Sequence, residues 1–346
     1  MEDLSFDDDA QDDNSNKTLE TQNLEHDNLE QETIKEQTQE DTQIDLDLIL
    51  EDGESEKEDL SQEHTALDTE PSLDELDEKK TKDIYEELAI SDIQKAADKL
   101  APLFYQKNDG FISIEIDPRL HDNTTLSLGE AKRLYSAISK ENVMIKIPAT
   151  KASYEVMYEL MKNGISVNAT LIFSLEQSQK CFEALNAGLV EFRKNNIALK
   201  EQNTRTPQAV ISIFVSRFDR LLNPKAKEQN RIGILNANLA YNNIYSKNEP
   251  NIRALFASTG VKGDDLPKDY YIKELLFENS VNTAPLDAIE AFKGKMHFKK
   301  PLMNFEIYTE LNQIISQNER EKACNDLLSD GLEQFCIAFE DILKAL

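Results

Sequence analysis

The sequence predicts an α/β fold built on a parallel sheet, formed by residues 81–346. Two observations indicate this fold. Short apolar strands alternate with segments of helical periodicity, and four consecutive strands carry polar side chains on one face and branched apolar side chains on the other. Parallel sheets are covered by helices on both faces. A β/α barrel fits best, although a complete barrel needs eight strands and we count six.

Residues 1–80 differ sharply in composition from the rest of the chain. They contain 30 of the 66 acidic residues and 5 of the 38 basic ones, so most of the net charge of -28 lies there. Phe6 is their single aromatic residue. Such a segment cannot bury enough apolar surface to offset its ordering entropy. We expect a disordered acidic arm, either a solvating tail or a partner-binding segment, that repels nucleic acid and anionic membranes.

Cysteine, histidine and glycine positions and the lengths of apolar runs argue against a disulfide-bonded, membrane, metal-binding or nucleotide-binding protein. The three cysteines, Cys181, Cys324 and Cys336, are isolated, as expected of reduced thiols in a cytoplasmic protein. No apolar run approaches the length of a membrane span, and the acidic N-terminus is unlike a signal peptide. The four histidines are scattered, so no metal site is expected, and no glycine-rich phosphate loop is present.

The predicted elements follow in chain order. We expect strands at Phe111–Asp117, Asn142–Thr150, Ile165–Phe173, Ala209–Val215, Ile252–Ser258 and Tyr270–Leu276. We expect helices at Lys82–Gln106 (one or two), from Ser127 to Ile138, at Lys151–Asn163, from Ser174 onward, at Glu228–Tyr245, at Asp287–Phe292, and over most of Asn304–Leu346.

Four local signals mark helix ends. Capping boxes are predicted from Ser91 with Gln94, Ser127 with Glu130, and Ser174 with Gln177. Gly164 is placed to end the preceding helix in a left-handed conformation.

Lys146 is the most informative single residue. It lies in an apolar strand in which Val143, Ile145 and Ile147 point one way and Met144 and Lys146 the other. On an inner face the amine would lose hydration, which favours its neutral form and lowers its pKa. A neutral amine attacks carbonyls, so Schiff-base chemistry is one interpretation. The alternative is a strand-end lysine whose amine reaches solvent.

The neighbouring strands repeat this division between faces. Polar side chains occupy alternate positions of each strand, as at Ser113, Glu115, Ser166, Asn168, Thr170, Ser212 and Ser216. In a sandwich the polar face would meet solvent. Between helices it must instead line a barrel interior, with Glu115, Lys146, Asn168 and Thr170 near the carboxyl ends of their strands, where barrel enzymes carry their chemistry.

Five ordered motifs resemble the transaldolase family. They are Ser113-Ile-Glu-Ile-Asp117, Met144-Ile-Lys-Ile-Pro-Ala-Thr150, Gly164-Ile-Ser-Val-Asn-Ala-Thr-Leu-Ile-Phe-Ser174, Ile211-Ser-Ile-Phe-Val-Ser-Arg217 and Ala257-Ser-Thr-Gly-Val-Lys262, with Glu274 and Val281-Asn-Thr283 beside them. The resemblance covers residues 80–346. It implies a cytoplasmic, cofactor-free enzyme of the pentose phosphate pathway, which moves a dihydroxyacetone unit from sedoheptulose 7-phosphate to glyceraldehyde 3-phosphate.

The resemblance also implies roles for individual residues. Lys146 matches the Schiff-base lysine, and Glu115 with Thr170 matches the pair that holds a catalytic water. Asn168 and Ser212 match residues that hydrogen-bond the dihydroxyacetone unit.

Three further residues match the family's phosphate contacts. Arg217 matches a phosphate-binding arginine, whose planar fork suits that anion, and Ser258 and Lys262 match a second phosphate contact. The family often has arginine where Lys262 stands. The alternative for Arg217 is a surface ion pair with Asp219.

The N-terminal part departs from the family. Transaldolases have a first strand bearing an acid/base aspartate and a second strand ending in a Thr-Ser-Asn-Pro-like segment, and we find neither. The nearest substitute is Ile44–Leu50, which alternates like a strand. We therefore expect either a transaldolase of reduced turnover or a degenerate, non-catalytic descendant whose acidic arm mediates an interaction.

Overall fold

Six parallel strands form one curled sheet in sequential order in the computed structural model, which describes residues 73–199, 205–263, 265–293 and 297–346. The strands are β1 (Ile112–Glu115), β2 (Val143–Pro148), β3 (Ser166–Ile172), β4 (Ala209–Phe214), β5 (Ile252–Ala257) and β6 (Val281–Asn282). With its flanking helices the sheet is a partial (β/α)8 barrel, as the sequence predicts. Residues 1–72 of the predicted acidic arm lie outside the described residues. The possible substitute strand Ile44–Leu50 is among them.

Ten α-helices are found among the described residues. They are α1 (Leu73–Tyr105), α2 (Thr124–Ile138), α3 (Ser153–Lys162), α4 (Leu175–Leu199), α5 (Ser216–Leu222), α6 (Ile232–Tyr245), α7 (Tyr270–Glu274), α8 (Leu286–Ala291), α9 (Asn304–Ile314) and α10 (Gln317–Ala345). A short 3-10 helix, Pro118–Leu120, follows β1. Within these ranges no helix is both long and apolar enough to cross a membrane.

The two faces of the sheet pack into two separate apolar clusters. Val143, Ile145 and Ile147 belong to the outer cluster, between the sheet and its surrounding helices. Met144 belongs to the inner cluster, together with side chains of α9 and α10. The predicted alternation along β2 is therefore confirmed, and it places Lys146 on the inner face.

Two predicted helix boundaries are confirmed in atomic detail. The Ser174 Oγ accepts from the Gln177 N–H, and the Gln177 Oε1 accepts in return from the Ser174 N–H, both at 3.0 Å. Gly164 has a φ of 79°, and the Ile165 N–H reaches back to the Leu160 carbonyl. These contacts set where β3 begins and where the helix that follows it begins.

The other two predicted capping boxes are wrong. Ser91 lies inside the continuous helix α1, because Ile90, Ile93 and Ala97 form one stripe against the core that passes through this position. Gln94 donates instead to the Ile138 carbonyl.

Helix α2 begins earlier than the sequence predicts. Asn123 caps it by accepting from the Leu126 N–H at 3.0 Å, four residues before the expected cap at Ser127. Ser127 lies within the helix and donates to the Leu120 carbonyl at 2.7 Å, so its hydroxyl ties α2 to the 3-10 helix. The box predicted from Ser127 and Glu130 is therefore not the cap.

The segment Tyr270–Leu276 is not a strand. Its first five residues form α7, with the Lys273 N–H donating to the Asp269 carbonyl. Aromatic and β-branched residues favour strands only when the pleated surface has neighbours to pack against. Here Tyr271 is buried instead, with its hydroxyl 2.8 Å from the Asp219 Oδ2. The sixth strand is β6, which pairs with Leu255 and Phe256 of β5.

Candidate active site

Lys146 and Glu115 form an ion pair on the inner face of the sheet. The two residues are register partners on β2 and β1, and Lys146 Nζ lies 3.6 Å from Glu115 Oε2. Their side chains are only 17% and 15% exposed. The pair brings an amine and a carboxylate together at the carboxyl ends of their strands, where little water screens their attraction.

Asn168 is held in one orientation by two hydroxyl groups. It is the register partner of Lys146 on β3. Its Oδ1 accepts from the Ser212 hydroxyl at 2.6 Å, and its Nδ2 donates to the Ser113 Oγ at 3.1 Å. This chain of hydrogen bonds spans β1, β3 and β4 beside the lysine.

Thr170 lies two residues after Asn168 on β3, opposite Pro148 of β2. It is fully buried, and its Oγ1 has no hydrogen-bond partner within the described ranges. A buried hydroxyl of this kind is suited to hold a water or a substrate oxygen. The next residue, Leu171, has a φ of 58° at an irregularity in the pairing of β3 with β4. Such strain in a non-glycine residue is typical of functional sites.

Arg217 and Ser258 follow the carboxyl ends of two neighbouring strands, β4 and β5. Ser258 follows β5 with a φ of 55°, and its Oγ is 2.9 Å from that of Ser216, the residue before Arg217. The Arg217 guanidinium lies 5.0 Å from the Phe214 ring centroid and is partly exposed. The two predicted phosphate contacts therefore follow neighbouring strands at their carboxyl ends, joined through the Ser216–Ser258 contact.

Asp219 is buried, which disfavours the alternative of a surface ion pair with Arg217. Its carboxylate accepts from the Gly233 N–H at 2.9 Å and from the Tyr271 hydroxyl at 2.8 Å. Burial raises the pKa of Asp219, although these hydrogen bonds act in the opposite direction. Asp219 therefore anchors α5 to α6 and α7.

Lys262 is an exposed residue on the loop after β5. Desolvation, and then the positive charge of Lys268, lower the pKa of Lys262. Ser258 is thus brought beside Ser216, whereas Lys262 lies further along a solvent-facing loop. No group of three or more His, Cys, Asp or Glu side chains in the described residues is arranged to hold a metal ion.

Two features of the site were missed from the sequence. The first is an ion-pair cluster around Asp117, whose side chain is 3% exposed and lies 2.8 Å from both Lys82 Nζ and Arg119 Nη2. Burial acts to raise the pKa of Asp117, but the hydrogen bonds from Arg119 and Lys82 outweigh it and hold that pKa below its usual range. Tyr85 lies nearby, and burial, followed by the charge of Glu115, raises its pKa.

The second feature is α10, whose Phe335 ring centroid is 5.4 Å from Lys146 Nζ. In the sequence α10 has only the periodicity of an ordinary amphipathic helix. Gly331 could have indicated that α10 packs closely against the strand ends, since a glycine inside a helix usually has a packing reason.

Comparison with known proteins identifies a family. Residues 10–346 match the family model described as transaldolase/fructose-6-phosphate aldolase, so the match begins well before the motifs of the sequence analysis. A transaldolase of Campylobacter jejuni (strain RM1221) is 98% identical over 271 residues, which is 78% of this chain and 83% of the relative. A transaldolase of Helicobacter pylori (strain P12) is 40% identical over 273 residues, which is 77% of this chain and 81% of the relative.

Proposed function

The chain belongs to the transaldolase/fructose-6-phosphate aldolase family, and we propose that it moves a dihydroxyacetone unit from sedoheptulose 7-phosphate to glyceraldehyde 3-phosphate in the cytoplasm. The observation that carries the proposal is the Lys146–Glu115 pair, with Nζ 3.6 Å from Oε2 on the inner face. The reaction needs an amine nucleophile beside a group that can move protons, and this pair supplies both.

Lys146 is the proposed nucleophile. Its nitrogen bonds to the ketone carbon, the carbonyl oxygen leaves as water, and one proton is taken up to give a cationic iminium. Glu115, with the Thr170 hydroxyl, is proposed to hold the water that exchanges those protons. The partnerless Oγ1 of Thr170 among the described residues supports this role.

The rest of the site is proposed to orient the sugar. Asn168 and Ser212 would hydrogen-bond the hydroxyls of the dihydroxyacetone unit, and their mutual hydrogen bond of 2.6 Å already aligns them. Arg217 and Ser258 would hold the phosphate at the adjacent strand ends, because guanidinium and hydroxyl groups are strong donors to phosphate oxygens. Lys262 would contribute positive charge from its loop.

Borohydride trapping tests the proposal directly. The chain is incubated with fructose 6-phosphate, reduced, digested and mapped by mass spectrometry. We expect the reduced three-carbon adduct on Lys146, and no adduct when fructose 6-phosphate is omitted. An adduct on another lysine, or no adduct on a folded sample, would rule out the assignment.

A second candidate is a non-catalytic family member whose acidic N-terminal segment binds a partner. One observation favours it: the sequence motifs contain no match for the family's acid/base aspartate. A steady-state assay with fructose 6-phosphate and erythrose 4-phosphate separates the two candidates. The enzyme forms product continuously, whereas the non-catalytic protein forms none.

A further inference from the structure

Helix α10 crosses the carboxyl ends of the strands. Its contacts with the strands and with the segments that follow them recur on one helix face, since residues separated by four or seven positions lie on the same side. In order along the helix these contacts are Cys324 Sγ with the Phe173 carbonyl, Gly331 with Leu171, Phe335 with Lys146, and Phe339 with Arg119. The helix therefore covers the site from β3 to the residues that follow β1.

Gly331 allows this close approach. A Cβ at Gly331 would lie 2.9 Å from the Leu171 Cδ2 and 3.7 Å from the Arg217 Nη1. Both contacts involve the proposed site: Leu171 follows Thr170 directly, and Arg217 is the proposed phosphate ligand. A larger residue would push the helix, and Phe335 one turn later, away from the strand ends.

Phe335 lies on the same helix face and reaches the reacting nitrogen. Its ring centroid is 5.4 Å from Lys146 Nζ, and the residue is 9% exposed. An aromatic face within about 6 Å of an ammonium group attracts its positive charge. Water is excluded from the same space because the ring fills it.

We propose that Phe335 is a further catalytic residue, whose ring stabilises the positive charge that the Lys146 nitrogen carries as an iminium. The proposal rests on the proposed function for the identity of that cation. Condensation of the neutral amine with a ketone consumes one proton and releases one water, so a cation forms at the position that the ring covers. A cation–π contact is worth a factor of about 2 to 30 in the stability of that cation.

The test compares Phe335→Leu with Phe339→Leu. Both variants remove a ring from the same helix, but Phe339 contacts Arg119 and Tyr85 rather than Lys146. The fraction of chain trapped by borohydride at saturating fructose 6-phosphate should fall about 2- to 30-fold for Phe335→Leu and stay near wild type for Phe339→Leu. Phe335→Tyr keeps the ring and should restore trapping. Equal trapping in all folded variants would overturn the proposal.

A second measurement needs no sugar and so separates this proposal from the proposed function. Acetylation of Lys146 by an N-hydroxysuccinimide ester should be faster in Phe335→Leu than in wild type or Phe339→Leu, because the ring covers the nitrogen. If the wild type traps no adduct but this difference holds, the proposed function fails, and the role of Phe335 as cover for the Lys146 nitrogen stands. Equal acetylation rates in samples that melt like the wild type would overturn that role.

Discussion

Lys146 and Glu115 occupy paired positions on two adjacent parallel strands, with Nζ 3.6 Å from Oε2. In a parallel pair, register partners project from the same face of the sheet, so the pairing itself brings amine and carboxylate together. The closeness of the two groups is the reason we propose the carboxylate as the carrier of protons for the lysine.

We predict that Glu115→Gln separates trapping from turnover. The amide keeps the shape but cannot accept a proton, so the steady-state rate should fall about 10²- to 10⁴-fold. Lys146 remains, so the Schiff base should still form, although more slowly, and borohydride should still label Lys146 after a long incubation. Glu176→Gln, which removes an exposed carboxylate paired with Lys180, is the matched control and should leave both readouts unchanged. A Glu115→Gln rate within a few-fold of wild type would contradict the assignment.

Two glycine-to-alanine changes should have opposite effects on stability. Gly129 lies in α2, and a Cβ added there would meet nothing within 4 Å in the described part of the chain beyond its own helix, so Gly129→Ala should stabilise by about 0.5–1 kcal/mol through helix propensity. Gly331→Ala would place a methyl 2.9 Å from Leu171 and should destabilise by about 1–3 kcal/mol through overpacking. Denaturant unfolding of both variants measures the difference, and stabilisation by both would show that α10 is not tightly seated.

The Asp117 cluster predicts a pH-dependent contribution to stability. The pKa of Asp117 is lower in the folded chain than its ordinary value of 3.8. Its contribution is therefore fully present above that ordinary value and is lost as the pH falls through the lower folded value. Asp117→Asn should cost about 2–3 kcal/mol at pH 7, and this difference from wild type should shrink toward pH 3.

Urea unfolding between pH 3 and pH 7 measures this effect. Asp92→Asn, which changes an exposed carboxylate paired with Lys95, is the control and should show a small difference at every pH. A constant cost of Asp117→Asn across this range would mean that the cluster is not held by the charge of Asp117.

The N-terminal departure from the family that we expect from the sequence motifs predicts a low turnover. A missing acid/base group is worth about 10²–10⁴ in rate, and a frame loosened by about 1 Å costs about 10² more. We expect kcat/KM of this chain to rise when a transaldolase first strand, loop and second strand are grafted before Lys82. The Schiff base should form in both versions. If the ungrafted chain is already as fast as the graft, the missing groups are supplied from elsewhere.

Local patterns were enough to assign the faces of the strands. Strand side chains alternate with a period of two, so the position of Lys146 among Val143, Ile145 and Ile147 already decided which face it shares. The same held for the reciprocal Ser174–Gln177 cap and the left-handed Gly164, whose interactions lie within a few residues. Each of these depends on backbone geometry that neighbouring residues determine.

Tertiary structure decided the contacts between distant segments. Tyr270–Leu276 has the composition of a strand but is helical at Tyr270–Glu274, because the Tyr271 hydroxyl is bound by Asp219, 52 residues away. Phe335 reaches Lys146 only because the sheet curls and Gly331 lets α10 approach it. The sequence by itself thus determined which side chains lie on the inner face, since that follows from the period of two along a strand. Only the packing of α10 and α7 decided what covers and supports that face, because such contacts depend on how separate elements fill space together.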